Sequence, residues 1–156
     1  MALEWHHLGH PTSLGFSTGV LAGLVAITPA AGFVTPVAAI TIGLIAGIIC
    51  YTAVELKGRF GYDDSLDVFG VHGVGGMTGA LLTGIFASIG ATGLLLGNSS
   101  QLVTQLEGVV ASAVYASVCT LIIGFVINKT MGLKVSESEE NIGLDQTQHG
   151  EVAYNI

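Results

Sequence analysis

The chain has 156 residues, of which 51% are hydrophobic and only 10% are charged, and its formal charge is −7. Soluble domains usually carry about 25% charged residues, so this composition excludes an ordinary soluble fold. Only four lysine and arginine side chains are present. They are too few to neutralise a phosphate backbone, which excludes a nucleic-acid partner. Three long stretches, 8–54, 68–106 and 108–128, contain no Asp, Glu, Lys or Arg, and stretches of this length indicate helices that cross a lipid bilayer.

The first two of four predicted membrane spans are bounded by prolines. The first span covers about residues 12–28 and ends before Pro29, since the residue preceding a proline is biased away from the helical region. The second covers about residues 36–54 and begins at Pro36, which suits the first turn of a helix.

The third and fourth spans complete an all-α membrane protein. The third covers about residues 64–87, with Asp64 or Ser65 as its N-cap. The fourth covers about residues 101–131 and is long enough to tilt or to protrude from the bilayer. Residues 132–156 form a polar, acidic tail.

Basic residues predict the orientation of the spans. Lys57 and Arg59 lie between the second and third spans, and Lys129 and Lys134 lie near the end of the fourth. In a chain of four spans these two regions are on the same side of the membrane. The positive-inside rule therefore places both termini and the tail in the cytoplasm.

Glycines recur at a spacing of four in the first three spans. Small residues at this spacing let helix backbones approach closely in membranes, so we predict Gly-rich packing faces. The glycines concerned are Gly15, Gly19 and Gly23, then Gly43 and Gly47, then Gly75 and Gly79.

His72 is the residue most indicative of function. It lies about 12 Å along the third span from Asp64, at roughly 1.5 Å per residue, and an ionisable group at that depth usually faces a pathway or the protein interior. One reading is a structural histidine that donates to a carbonyl of a neighbouring span. The other is an imidazole lining a narrow conduit, where its one donor and one acceptor suit a small polar molecule.

The remaining polar residues of the spans have structural readings as well. Asp67 is predicted in the first turn of the third span, where its carboxylate complements the positive end of the helix dipole, or it attracts a cation. The Thr28 hydroxyl can bond to its own helix. Cys50 and Cys119 lack metal-ligand spacing, so no metal or cofactor is predicted. Because no nucleophile or second catalytic carboxylate accompanies His72, an enzyme is not predicted.

Five segments of the chain resemble the ammonium transporter family (Amt/Mep/Rh). Residues 63–76, DDSLDVFGVHGVGG, are similar to the late signature of that family, and residues 22–32, AGLVAITPAAG, match another specific run. The segments 132–136, 143–145 and 149–154 resemble its cytoplasmic regulatory tail.

The resemblance implies a fold of about eleven spans built from two inverted halves. This chain resembles only the last four spans and the tail. His72 is then implied to be the second of two pore histidines that touch across the conduit. Val68 and Thr28 are implied to line the pathway.

Further roles follow from the resemblance alone. Asp67, Gly73 and Gly76 are implied to be structural at the pore helix. Thr147 occupies the place where plant members are phosphorylated, and Asp145 and Tyr154 belong to the regulatory tail, which a cytoplasmic regulator could bind. Family members are trimers, which implies a homo- or hetero-trimer in the lipid bilayer.

The function expected from these readings is transport of ammonium or ammonia, with this chain as the C-terminal part of a transporter. The alternative is a non-conducting regulatory or degenerate fragment that associates with full-length family members. Four isolated spans would expose the His72 face to lipid, where an unsatisfied polar group is costly. We therefore expect the chain to need a partner or to self-associate.

Overall fold

The computed structural model describes residues 1–152 and Tyr154 and contains only helices and loops within them. The all-α class is thereby confirmed. The chain divides into two compact units, Met1–Ser112 and Ala113–Ile156, which are described separately. The helices are α1 (Ala2–Leu8), α2 (Ser13–Ile27), α3 (Pro36–Phe60), a π-helical turn (Phe69–Gly73) that continues as α4 (Val74–Phe86), a 3-10 turn (Leu94–Leu96), α5 (Ser99–Thr130), α6 (Glu137–Ile142) and α7 (Leu144–Thr147).

Three of these helices are long and apolar enough to cross a membrane. They are Pro36–Phe60, Phe69–Phe86 and Ser99–Thr130, with mean hydropathies of 2.3, 1.3 and 2.3. The apolar helix α2 has 15 residues and is about 22 Å long, against about 30 Å for the hydrocarbon core. Its bounds agree with the first predicted span, and its crossing of the bilayer stays a prediction.

Local sequence sets the ends of α2 and α3. The Thr12 hydroxyl accepts a hydrogen bond from the Gly15 N–H at 2.9 Å and caps α2. Thr35 caps α3, and Pro36 occupies its first turn. Gly61 ends α3 in the left-handed conformation, at φ 66°, which glycine adopts without steric cost. The second predicted span is thus shorter than α3, because the polar turn with Lys57 remains helical.

The core of the first unit lies between α2, α3 and the helix over residues 69–86. Ala22 clusters with Val71 and Gly79 meets Ala26, so α2 and α4 run in parallel. Leu82 clusters with residues near the start of α3, and Gly70 packs against Val54 near its end. The helix α3 is therefore antiparallel to the other two, which brings its C-terminal turn to the start of the helix that carries His72.

Candidate functional site

The helix that carries His72 begins with a π-helical turn. The Val74 N–H bonds to the Phe69 carbonyl, five residues earlier, within the turn Phe69–Gly73. Such turns are rare and often occur at functional sites. A π-turn holds more residues than an α-turn, so it changes the direction of His72 relative to the packed face of α4. A regular α-helix was the expectation from sequence here, and the π-turn departs from it.

Asp64 caps this helix with both of its carboxylate oxygens. Oδ1 accepts from the Val68 N–H and Oδ2 from the Phe69 N–H, both at 2.9 Å. The predicted N-cap position at Asp64 or Ser65 is wrong, because the N-cap of this helix is Val68, and Asp64 caps the helix from four residues earlier. The first-turn position expected for Asp67 is wrong: Asp67 immediately precedes the helix and has a positive φ of 55°. The third span accordingly begins at Val68 rather than at residue 64.

Lys57 joins the end of α3 to this helix start. Its ammonium forms an ion pair with the Asp67 carboxylate and also donates to the Asp64 carbonyl at 2.7 Å. The side chains of Lys57 and Asp67 are about a quarter exposed, at 24% and 23%. The sequence assigned Lys57 only to membrane orientation. Its local role was missed because the contact joins residues ten positions apart across a loop.

The predicted pathway residues fall in two places. His72 and Val68 are both exposed and lie about one turn apart on the same helix. Thr28 is exposed beyond the C-terminal end of α2, where its hydroxyl donates to the Leu24 carbonyl at 2.7 Å. Because Ala26 meets Gly79 on the parallel helix, Thr28 lies about 13 Å from His72 along the axis at roughly 1.5 Å per residue.

The imidazole of His72 makes no hydrogen bond to another side chain or carbonyl in the described part of the chain. The structural reading, in which a neighbouring span of this chain satisfies it, therefore finds no support here. An exposed imidazole on an apolar helix is a group prepared for a solute or for another protein segment.

Gly73 and Gly76 do not mediate packing between helices. A Cβ added at Gly73 would meet the ring of Phe69, in the same turn, at 3.1 Å, and one added at Gly76 would meet nothing within 4 Å. Close approach belongs instead to Gly75 and Gly79. The structural role that the resemblance implied for Gly73 and Gly76 is therefore not an interhelical contact within this chain.

A corner between α1 and α2 was not foreseen from the sequence. The Glu4 side chain is 7% exposed and accepts hydrogen bonds from the Thr12 hydroxyl and from the Thr12 N–H, the latter at 3.2 Å. These bonds lower the pKa of the Glu4 carboxyl. Beside the corner, α1, α2 and α3 line a half-open, largely apolar groove of about 410 Å³, whose wall includes Gly19, Gly43 and Gly47.

The tail belongs to the second unit. The Thr147 hydroxyl donates to the Gly143 carbonyl at 3.0 Å, and its side chain is half-buried, as is that of Asp145. Tyr154 is 81% exposed. The predicted phosphorylation residue is thus engaged with its own helix, while Tyr154 is open to a partner.

A capping box holds the first tail helix, α6. The Ser136 hydroxyl accepts from the Glu139 N–H, and the Glu139 carboxylate accepts from the Ser136 N–H at 2.9 Å. The Ser136 hydroxyl also donates to the Glu139 carboxylate at 2.6 Å, and Gln148 donates to it at 3.1 Å. These bonds, led by that from the Ser136 hydroxyl, lower the pKa of the Glu139 carboxyl. Within residues 1–152 and Tyr154, no group of three or more His, Cys, Asp or Glu side chains could hold a metal ion.

Known proteins match this chain in sequence. The profile of the Ammonium Transporter Family matches residues 1–154. An ammonium transporter of Aquifex aeolicus is 53% identical, with 100% of this chain and 38% of that protein aligned. An ammonium transporter of Bacillus subtilis is 48% identical, with 97% of this chain and 39% of that protein aligned. The chain therefore spans less than half the length of these curated relatives.

The fold matches as well. The crystal structure of Saccharomyces cerevisiae Mep2 superposes with a TM-score of 0.84 and 36% identity, covering 95% of this chain and 36% of that one. The profile extends over nearly every residue of the chain, and the helices of the solved relative follow the same course. This membrane protein belongs to the ammonium transporter family.

Proposed function

We propose that this chain supplies the His72-bearing wall of a membrane conduit for ammonia. It conducts together with the additional transmembrane segments that its longer relatives contain. The observation that carries the proposal is the exposed imidazole of His72, set one turn from Val68 on a helix whose opposite face is packed against α2 and α3. Such a helix presents one donor and one acceptor in otherwise apolar surroundings.

The chemistry of the substrate fits an apolar conduit. Moving a bare ion out of water is very costly, so a dry pathway excludes potassium. Ammonium escapes this cost by giving up a proton, after which neutral ammonia crosses beside the imidazole and the proton returns or travels separately. Asp67 is neutralised by Lys57, which argues against a cation-holding role for this carboxylate and leaves it a structural one.

The proposed function includes a membrane topology, an oligomeric state and a role for the tail. Both termini are cytoplasmic, and the chain works in a homo- or hetero-trimer with family members in the cell membrane. The tail receives a cytoplasmic regulator. A phosphate on Thr147 would replace the hydroxyl bond to Gly143 and would repel nearby Asp145 and Glu151. Thr147→Asp is therefore expected to change transport in a full-length context, and unchanged transport there would remove this regulatory role.

Ammonium-dependent growth tests the proposal in cells that lack their own ammonium transporters. The chain is expressed alone and together with the remaining N-terminal portion of a relative on a second polypeptide. We expect uptake in the second case, loss or alteration of uptake in His72→Ala, and unchanged uptake in His10→Ala, which removes an exposed histidine outside the spans and the tail. Uptake that is indifferent to His72→Ala would contradict the proposal.

A second candidate function rests on the open glycine faces of α2 and α3. Added Cβ atoms at Gly19, Gly23, Gly43 and Gly47 would meet nothing within 4 Å, so these faces can accept another membrane helix. The chain would then join full-length family members and regulate them without conducting. Co-purification with a full-length relative whose transport falls on co-expression would favour this function over conduction.

A further inference from the structure

The polar groups at the start of the His72 helix form a linked set with Lys57 at its centre. The Lys57 ammonium contacts the Asp67 carboxylate and the Asp64 carbonyl. The Asp64 carboxylate in turn holds the N–H groups of Val68 and Phe69. An ammonium offers three donors and no acceptor, so it can serve both acceptors at once. The end of α3 is thereby connected to the first helical residues before His72.

The ion pair with Lys57 contacts a residue, Asp67, whose backbone conformation is unfavourable. Asp67 is the only residue other than glycine with a positive φ in the described part of the chain. The left-handed region is sterically unfavourable for L-residues, although Asp adopts it more readily than most. Strained conformations of this kind persist when surrounding contacts fix them, and they cluster at functional sites. The Lys57 pair is such a contact, and the Asp67 carbonyl then accepts from the Val71 N–H at 2.9 Å.

The π-turn begins two residues after Asp67 and packs closely against α3. A Cβ at Gly70 would lie 2.9 Å from a methyl group of Val54, so the turn cannot rotate freely against that helix. The Phe69 ring covers Gly73 and meets Tyr62 edge-on, with centroids 5.9 Å apart. A change from π to α geometry would rotate His72 by about one residue, or about 100°, relative to α4.

We propose that Lys57 is a positioning residue for His72. Its ammonium holds Asp67 in the left-handed conformation, this conformation fixes the π-turn, and the π-turn aims the imidazole. The significance for transport rests on the function proposed above, whereas the effect on the orientation of His72 does not. Without the ammonium, the half-buried Asp67 carboxylate is left unpaired, and the loop relaxes to hydrate it.

Solid-state NMR of the full chain in bilayers tests the orientation directly. Histidine ring nitrogens are labelled, and the His72 signals are assigned by their absence in His72→Ala. We expect Lys57→Met and the near-isosteric Asp67→Asn each to shift the His72 signals by more than a linewidth. The double variant should shift them no further than a single one does, because both remove the same contact. Lys57→Arg should restore them in part.

Arg59→Met is the matched control, because it removes a cation from the same end of α3 that forms no ion pair among the described residues. It should leave the His72 signals unchanged. His72 signals that stay at their wild-type positions in both Lys57→Met and Asp67→Asn overturn the proposal. Should Lys57→Met fail to accumulate in membranes, Asp67→Asn decides alone, since it keeps the shape of the side chain.

Ammonium uptake by the two co-expressed polypeptides tests whether the effect of Lys57 on His72 matters for transport. Lys57→Met is expected to lower uptake towards the level of His72→Ala, and Lys57→Met/His72→Ala should lie no lower than His72→Ala alone. A further loss in the double variant would mean that Lys57 acts apart from His72 and would overturn the positioning role. If no combination transports ammonium, the proposed function fails, while the NMR result still decides whether Lys57 orients His72.

Discussion

Gly75 and Gly79 of α4 are packed against neighbouring helices, whereas four glycines of α2 and α3 at the same spacing are open: Gly19, Gly23, Gly43 and Gly47. A Cβ at Gly79 would lie 2.1 Å from the Ala26 carbonyl oxygen, and one at Gly75 would lie 3.0 Å from the Cys50 sulfur. At Gly43 and Gly47 no atom lies within 4 Å. Glycines four residues apart thus indicate a helix face that another helix can approach closely. They do not indicate whether that other helix belongs to the same chain.

Among the glycine substitutions, Gly79→Ala should lower the free energy of unfolding most. The new methyl group would collide with the backbone of α2, which cannot move aside as a flexible side chain would. We expect a loss of about 3 kcal/mol in the free energy of unfolding, the upper range for overpacking. Unfolding in detergent mixtures, followed by circular dichroism, measures it. Gly76→Ala in the same helix is the control and should unfold like wild type, since nothing lies within 4 Å of it.

Gly75→Ala should be milder, because its nearest neighbour is the Cys50 sulfur rather than backbone. We expect a loss of about 1 kcal/mol. Cys50→Ala removes the sulfur and should relieve the crowding, so the two changes together should cost less than their sum by about 0.5 kcal/mol or more. Strict additivity in this double-mutant cycle would show that the sulfur is not what resists the methyl group.

Gly15 is an intermediate case, because an added Cβ would meet the Glu4 carboxylate at 2.0 Å. Gly15→Ala should displace Glu4 from Thr12 at the α1–α2 corner. Since hydrogen bonds from Thr12 lower the pKa of Glu4, the carboxylate stabilises the corner above its unfolded pKa, and this contribution is lost as pH falls through the folded pKa.

The protection of the amides around Thr12, measured against the intrinsic exchange rate at each pH, should therefore fall in acid. In both Gly15→Ala and Glu4→Gln the protection should be lower at neutral pH and should depend less on pH. Protection near Thr12 that responds to acid equally in Glu4→Gln and in wild type would assign the effect to another group.

Gly47→Ala should have the smallest effect on the chain itself, because the position is open. We expect a free energy of unfolding equal to that of wild type or higher by up to about 1 kcal/mol, because alanine favours a helix interior over glycine, together with weaker association with a full-length relative. Co-purification yields from detergent measure that association. Unchanged yields for Gly47→Ala and Gly19→Ala together would show that these faces are not where a partner helix packs.

Hydrophobic runs and prolines predicted most of the fold. Pro36 correctly predicted the first residue of α3. Thr12 and Pro29 predicted the two ends of α2 to within two residues. The end of α3 was placed too early because a hydropathy boundary marks where polar residues begin, while the hydrogen-bonded helix continues to Phe60. The helix α1 was missed, since its seven residues are too few for a periodic signal.

The candidate site was predicted only in part. The sequence pointed to His72 and to Asp64 as a cap, because both inferences need only local information. It could not give the positive φ of Asp67 or the π-turn, since both depend on a contact with Lys57 from another helix. Nor could it separate Gly75 and Gly79, which are packed, from Gly76, which is open, because that depends on where α2 and α3 lie.

The two cysteines differ in chemical accessibility. Cys50 is 1% exposed, with its sulfur 3.9 Å from the Val71 carbonyl in the core of the first unit, whereas Cys119 is partly exposed on α5. In detergent solution a small thiol reagent should therefore modify Cys119 before Cys50, which becomes accessible only when the helices around it separate. The rate of Cys50 labelling in Cys119→Ser thus reports how often this core opens.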